Sequence, residues 1–195
     1  MSQALFPAWR PDAAGRAAFA TLSQRLQEAR PSDAPSLQVR RADQWHATLC
    51  FIGHDVGHLA TPAVLDAFAA AAARIPSHTF TLDRLVYWRR SGAVVALPHD
   101  CPALQAMCDA TRDAIRRCGI TPEEVTRQPH VTLAFLPKGL DAQPWLDTVD
   151  CGIGPLMVDS FELLFNPGGR YEVVGQWPLT GAALPPPPRQ DALFR

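Results

Sequence analysis

The stretch Trp45-His46-Ala47-Thr48-Leu49-Cys50-Phe51 ("WHATLCF") decides how the chain is read, because it recurs as Pro129-His130-Val131-Thr132-Leu133-Ala134-Phe135 ("PHVTLAF"). Both copies spell His-x-Thr-Leu-x-Phe. Side chains i and i+2 of a strand share a face. As strands, the copies place His46 with Thr48, and His130 with Thr132. Ala47, Leu49 and Phe51 then share the opposite face of the first strand, as Val131, Leu133 and Phe135 do in the second. Each strand would have one apolar face for a core and one face carrying an imidazole and a hydroxyl. A lone strand histidine is ordinarily structural, and one such match carries little weight. Two matches with the same following aromatic point to one site built twice.

Around the motifs the elements follow from periodicity and punctuation. Asp12 to about Arg30 carries Ala18, Leu22 and Leu26 at helical spacing. "PSDAPS" breaks the chain into a loop. "LQV" and "WHATLCFI" follow as strands, the second ended by Gly53. Thr61-Pro62 starts a second helix that runs to about Ile75. "HTFTLDRLVYW" alternates as a strand and turns at Ser91-Gly92 into "AVVALP". A third helix covers about Pro102 to Arg117 and stops at Cys118-Gly119. "LMVDSFELLF" and "YEVVGQWPL" are expected to form a hairpin across "NPGG". The pattern predicts an α+β fold: two pseudo-symmetric lobes of antiparallel sheet with flanking helices. One bilobal domain is expected over residues 1–180, with an extended Pro-rich tail over 181–195.

Composition removes several function classes. Of 195 residues, 47% are apolar, enough for a core. The net charge of −1 does not suit a protein held on long duplexes by phosphate charge. A small or terminal nucleic-acid substrate needs only a local patch. Of the 18 basic residues only Lys138 is a lysine. The five cysteines (Cys50, Cys101, Cys108, Cys118 and Cys151) form no Cys-x-x-Cys and read as reduced thiols of a cytoplasmic protein. The N-terminus lacks the marks of a signal peptide. No apolar run reaches the roughly 18–20 residues of a membrane span. A soluble, monomeric protein with no membrane partner is expected.

If the two motif strands lie side by side, two imidazoles and two hydroxyls converge in one cleft, a set suited to a tetrahedral anion. Histidine titrates near neutrality, so one ring can be neutral while the other is protonated. The neutral ring can take a proton from an attacking water, and the protonated ring can give one to a leaving oxygen. The threonine hydroxyls can donate to non-bridging oxygens, where charge accumulates. The chemistry that fits is acid–base phosphoryl transfer at a phosphodiester, and the pattern calls for no metal and no cofactor.

The twin motifs resemble those of the two-histidine phosphoesterase superfamily, and within it the bacterial RNA 2′,3′-cyclic phosphodiesterases, also called 2′-5′ RNA ligases. "LFPAWRPDAAGRAAFATLSQRL", "FTLDRLVYWRRSGAVVAL", "RQPHVTLAF" and "GGRYEVVGQWPL" extend the similarity over about Leu5 to Leu179. The resemblance implies a two-lobed fold with an active-site groove between antiparallel sheets. It implies metal-free hydrolysis of a 2′,3′-cyclic phosphate to a 2′-phosphate, on RNA ends or small cyclic nucleotides, and 2′-5′ RNA ligase activity besides. By the same analogy His46 protonates the departing 3′ oxygen and His130 activates water, with Thr48 and Thr132 beside them; the reverse assignment stays open. Two departures stand out. A basic residue is common where this chain has Phe135, with Lys138 the nearest replacement, and Pro7 interrupts the opening strand. Two alternatives remain: an RNA-end or nucleotide binder with little turnover, and a two-histidine esterase for another cyclic phosphate.

Nearby cations and aromatics offer further candidate substrate contacts. Arg127 stands three residues before His130 and is a candidate phosphate contact, the alternative being a solvated residue. Tyr87, Trp88 and Arg89 form an aromatic and basic cluster able to stack a base and hold a phosphate, although alternation turns one of the two rings inward. Arg40 and Arg41 read as a solvated pair. His54 and His58 have metal-like spacing, but "GHDVGH" reads as a loop, not a helix face. His78 and His99 read as surface residues. No G-x-S-x-G and no P-loop is present.

Overall fold

The computed structural model describes residues 3–182, so the Pro-rich tail expected over 181–195 lies almost wholly outside the described residues. Strand β1 (Ala4–Trp9) is buried along its length. Helix α1 (Ala13–Ala29) begins where the Asp12 carboxylate accepts from the Gly15 N–H at 2.7 Å. Three short pieces follow: β2 (Gln38–Val39), β3 (Ala47–Thr48) and β4 (Gly53–His54). Helix α2 (Pro62–Ala72) starts at the expected Thr61-Pro62. The long β5 (His78–Trp88) and β6 (Ala93–Pro98) form a hairpin. Gly92 at their turn has φ 80°, and a Cβ there would collide with the Leu136 carbonyl. Then come α3 (Pro102–Arg117), β7 (Val131–Phe135), the short α4 (Gln143–Leu146), β8 (Ile153–Val158), β9 (Ser160–Asn166) and β10 (Glu172–Pro178).

All strand pairings are antiparallel, in the order β10-β9-β1-β3-β7-β6-β5-β8. The path is two four-strand halves joined where β3 meets β7. The α+β class and the two halves agree with the sequence pattern. "LMVDSFELLF" does not form one strand, however. Asp159 alone separates β8 from β9, which sit near opposite ends of the path. Two chain steps of about 3.8 Å cannot span a flat sheet of that width. The sheet therefore curls until its two ends approach one another. The Trp9 indole N–H donates to the Met157 carbonyl at 2.9 Å, a further tie between β1 and β8.

"WHATLCFI" also departs from a single regular strand. Trp9 and Ala8 pair with Ala47 and Thr48, but Leu5 and Ala4 pair with Gly53 and His54. Two residues of β1 thus face four of the motif segment. Pro7 explains the break. Its carbonyl accepts from the Leu49 N–H at 2.9 Å, so its missing N–H faces the same side. With no donor there, the motif segment swells away, as is usual beside a strand proline. Phe51 and Ile52 instead exchange backbone hydrogen bonds with Glu123 and Glu124. In β7 the pairing with β6 skips Leu133, a second bulge.

The main core lies under the helices and includes Phe19, Leu49, Phe68, Leu133 and Leu163, all essentially inaccessible. Two smaller apolar clusters carry the open face. One is Ala4, Phe6, Ala8 and Leu164 with Phe51 and Tyr171; the other is Ala93, Val95 and Leu97 with Val86, Trp88 and Phe135. The bulges thus turn Phe51 and Phe135 to the open face, against strict alternation. All five cysteines are free, and burial pushes the Cys50, Cys108 and Cys151 thiols up to about 11, 12 and 12. No helix among the described residues is long and apolar enough to cross a membrane.

Phe68 ties α2 to the sheet through Phe161 at 5.8 Å and Trp177 at 5.4 Å between ring centroids. Phe68→Ala is expected to cost about 3–5 kcal/mol, and Asp12→Ala, which removes one cap, about 1 kcal/mol. Urea unfolding measures both, and equal losses would contradict this placement of the core.

Candidate active site

Ala47 of β3 stands directly opposite Val131 of β7. Carrying that antiparallel register one residue either way sets His46 against Thr132 and Thr48 against His130. The two His-x-Thr pairs therefore cross at the seam between the halves, on one face. The two histidines are diagonal neighbours, with Cα atoms about 7–8 Å apart. That spacing leaves room for a tetrahedral anion between the rings.

Each ring is held in the same way. The His46 Nδ1–H donates to the Gln44 carbonyl at 2.7 Å, and the His130 Nδ1–H donates to the Gln128 carbonyl at 3.0 Å. A carbonyl only accepts, so Nδ1 carries the proton in both neutral rings and Nε2 is the reactive nitrogen. The Thr48 hydroxyl donates to His46 Nε2 at 3.1 Å. The repeat is thus longer than His-x-Thr: both copies read Gln-x-His-x-Thr-Leu. That longer match is a signal available from sequence.

The walls differ. His46 packs against Phe6 and edge-on to Tyr171, each at 5.1 Å between centroids. His130 meets the Trp88 ring at 4.3 Å. Burial pushes the His46 imidazole down to about 4; the Gln44 carbonyl opposes this, while the charges of Arg40, His130 and Arg10 add to it. Burial also lowers His130, against the Gln128 carbonyl. A groove of about 480 Å³ opens beside the seam, lined by Thr48, Phe51, Trp88, His130 and the Glu124–Gln128 segment. The swelling at Pro7 builds that wall, because Phe51 pairs with Glu124 there.

The other candidates separate cleanly. Arg127 and Trp88 line the groove. Tyr87 is buried in the main core with its hydroxyl donating to the Pro137 carbonyl, so it is outside the groove. Arg89 donates to the Gly139 carbonyl at 3.1 Å, and Lys138 is exposed on the neighbouring turn over Gly92; neither lines the groove. Arg40, read from sequence as solvated, is half-buried and donates to the Tyr171 hydroxyl at 2.9 Å. His54 lies in β4 with its ring against Phe51, and His58 lies in a 3₁₀ turn. No group of three or more His, Cys, Asp or Glu is gathered to hold a metal ion among the described residues.

Residues 17–164 match the family model described as the 2′-5′ RNA ligase superfamily. No curated protein matches the chain. Among solved structures, LigT of E. coli in apo form is 24% identical, with a TM-score of 0.66, over 92% of this chain and 98% of that one. Its complex with 3′-AMP aligns at 23% identity and a TM-score of 0.64, with the same coverage; others hold ATP and NADP+. TT0787 of Thermus thermophilus is 21% identical with a TM-score of 0.71, over 92% of this chain and all of that one. At these identities the structural likeness is one of fold.

The depressed His46 makes stability depend on pH. The unfolded chain takes its proton near 6.5 and the folded ring near 4, so the contribution to stability is present above 6.5 and lost as pH falls through that window. An NMR titration of the His46 ring is expected to give a midpoint near 4. His46→Gln should flatten the fall in the urea midpoint between pH 6.5 and 4. A midpoint at or above 6.5 for the empty groove would refute this account.

Proposed function

From the premise that the chain belongs to the 2′-5′ RNA ligase superfamily, we propose that it is a phosphodiesterase that opens 2′,3′-cyclic phosphates on RNA ends or small nucleotides. The observation that carries this reading is the pairing of Ala47 with Val131, which crosses the two His-x-Thr pairs on one open face. The cyclic phosphate sits between the rings. His130 Nε2 takes a proton from water as the water oxygen attacks phosphorus. The bond from phosphorus to O3′ breaks, and protonated His46 gives its Nε2 proton to O3′. The products are a 2′-phosphate and a free 3′ hydroxyl. Thr48 and Thr132 donate to the non-bridging oxygens.

Burial disfavours the charged form of both rings, so the working proton is taken up from solvent as the substrate binds. An anionic phosphodiester between the rings opposes the effect of burial and raises both. Protonated His46 can no longer accept from Thr48, which frees that hydroxyl for the phosphate. Trp88, the exposed Val125 and Arg127 give the groove apolar surface for a base and a cation for a further phosphate. The nucleotides carried by the E. coli protein are the ligand class we bring to this groove. One observation favours a rival: Phe135, where a cation is common in relatives, suits a binder that has lost turnover. Tight binding of a 2′-phosphate without hydrolysis would favour it.

The test is hydrolysis of 2′,3′-cyclic AMP in EDTA. His46→Ala and His130→Ala are each expected to lower kcat about 10²–10⁴-fold; equal rates in all three proteins would sink the assignment. The singly protonated pair is most populated between the two histidine values; either ring can carry that proton, so the profile reports the pair and leaves the acid and base roles to the variants. The kcat/KM optimum is therefore expected between about pH 4 and 6.5, with the kcat optimum higher because bound phosphate raises both groups. A flat profile would count against a two-histidine mechanism.

A further inference from the structure

Arg40 is a cation without an ion-pair partner among the described residues, set beside His46 through Tyr171. It follows β2, and its backbone N–H donates to the Leu133 carbonyl at 2.8 Å, at the bulge of β7. That hydrogen bond fixes it next to Phe135, whose ring lies 5.6 Å from the guanidinium carbon. One Nη donates to the Tyr171 hydroxyl at 2.9 Å, and Tyr171 is edge-on to His46. Nε is buried and has no acceptor. Among the described residues Arg40 makes no ion pair. Its neighbours in charge are otherwise engaged: Arg10 holds Glu162 at 2.6 Å, and Arg41 holds Asp43 at 3.0 Å. A half-buried guanidinium with an unmet N–H is costly. Stacking on Phe135 and one phenol offset only part of that cost. The missing partner is an anion.

We propose that Arg40 is the cation that holds the reacting phosphate, pairing with its non-bridging oxygens through the guanidinium. The proposal rests on the cyclic-phosphodiesterase reading for the identity of that phosphate. Phe135 occupies the place where a basic residue is expected in relatives. Here its ring becomes the platform for an arginine from the neighbouring strand. The charge is kept, and its anchor moves from β7 to the residue after β2. Lys138, the replacement suggested by sequence, stays on an exposed turn. As charge builds on the phosphate oxygens in the transition state, a planar fork already fixed by Tyr171 and Phe135 meets it without reorganising.

The experiment compares Arg40→Gln, Arg40→Lys and the double variant R40Q/F135R with the wild type. Turnover of 2′,3′-cyclic AMP and affinity for 2′-AMP and inorganic phosphate are measured, with thermal melts as a control on folding. R40Q is expected to lose about 10²–10³-fold in kcat/KM and at least about tenfold in 2′-AMP affinity. Its kcat/KM profile should also move to higher pH, because a positive charge beside His46 is gone; a purely structural role would leave the profile in place. R40Q/F135R should recover about tenfold, the cation being restored from β7. Should R40Q fail to fold, R40K decides, since it keeps the charge but loses the fork; a loss of about tenfold or more in 2′-AMP affinity is expected. Wild-type turnover and 2′-AMP affinity in R40Q, or wild-type affinity in R40K where only that variant folds, overturns the proposal. If the wild type turns over nothing yet binds 2′-AMP or phosphate, and R40Q loses that binding, the hydrolase reading falls and Arg40 stands. If the wild type binds neither and turns over nothing, both fall.

Discussion

One antiparallel contact, Ala47 against Val131, joins the two halves of the sheet and sets the register of everything at the site. A slip of one residue would send His46 and Thr48 to the wrong face. The flanking structure guards against that slip on both sides. Trp9 and Ala8 pair with Ala47 and Thr48, and β2 pairs with Phe135 and Ala134. Leu49 and Leu133, both fully buried, pin each motif to the core just past its threonine. The geometry of the site is thus held by β-pairing and leucine burial, and a carbonyl of the turn before each strand fixes the histidine ring.

The irregular places do as much as the regular ones. Pro7 cannot donate to the motif strand, and the swelling opposite it carries Phe51 to Glu124 and so brings the Glu124–Gln128 wall to the groove. On the other edge of β7 the Arg40 N–H donates to the Leu133 carbonyl, carrying the β2–β7 register one residue past β2. Both bulges rotate a phenylalanine onto the open face, Phe51 against Phe6 and Phe135 under Arg40. The apolar surroundings that result have an electrical consequence. They disfavour the charged form of His46 and His130, an effect that a bound anion would oppose.

Much of this is legible in the chain. The repeat marks both histidines and threonines because period-2 alternation over three residues is robust. β5, β6 and α3 match their sequence patterns end to end, since each is a long element with clear boundaries. Alternation misplaces Phe51 and Phe135 because it assumes no bulge, and a bulge depends on a partner strand remote in sequence. "LMVDSFELLF" reads as one strand because nothing local marks Asp159 as the point where the chain passes between the two ends of a curled sheet. Tyr87 and Trp88 illustrate the reliable side of the same rule: one faces the core and the other the groove.

Sequence proximity is a poor guide to which cation stands near Phe135. Lys138 is three residues from Phe135, yet the chain turns away after β7 and carries it over Gly92. Arg40 is remote in sequence but adjacent across the β2–β7 pairing, where Gln38 faces Phe135. An aromatic residue at that position does not merely delete a cation. It supplies a π-face that lets a guanidinium from the next strand lie half-buried without a carboxylate, and a carboxylate there would compete with the phosphate for the same fork. Leaving the Arg40 Nε without an acceptor costs stability, and under the proposed reading a bound anion offsets that cost. The same logic applies to the depressed histidines, so under that reading the cation and the dyad answer to one event: the arrival of negative charge at the seam.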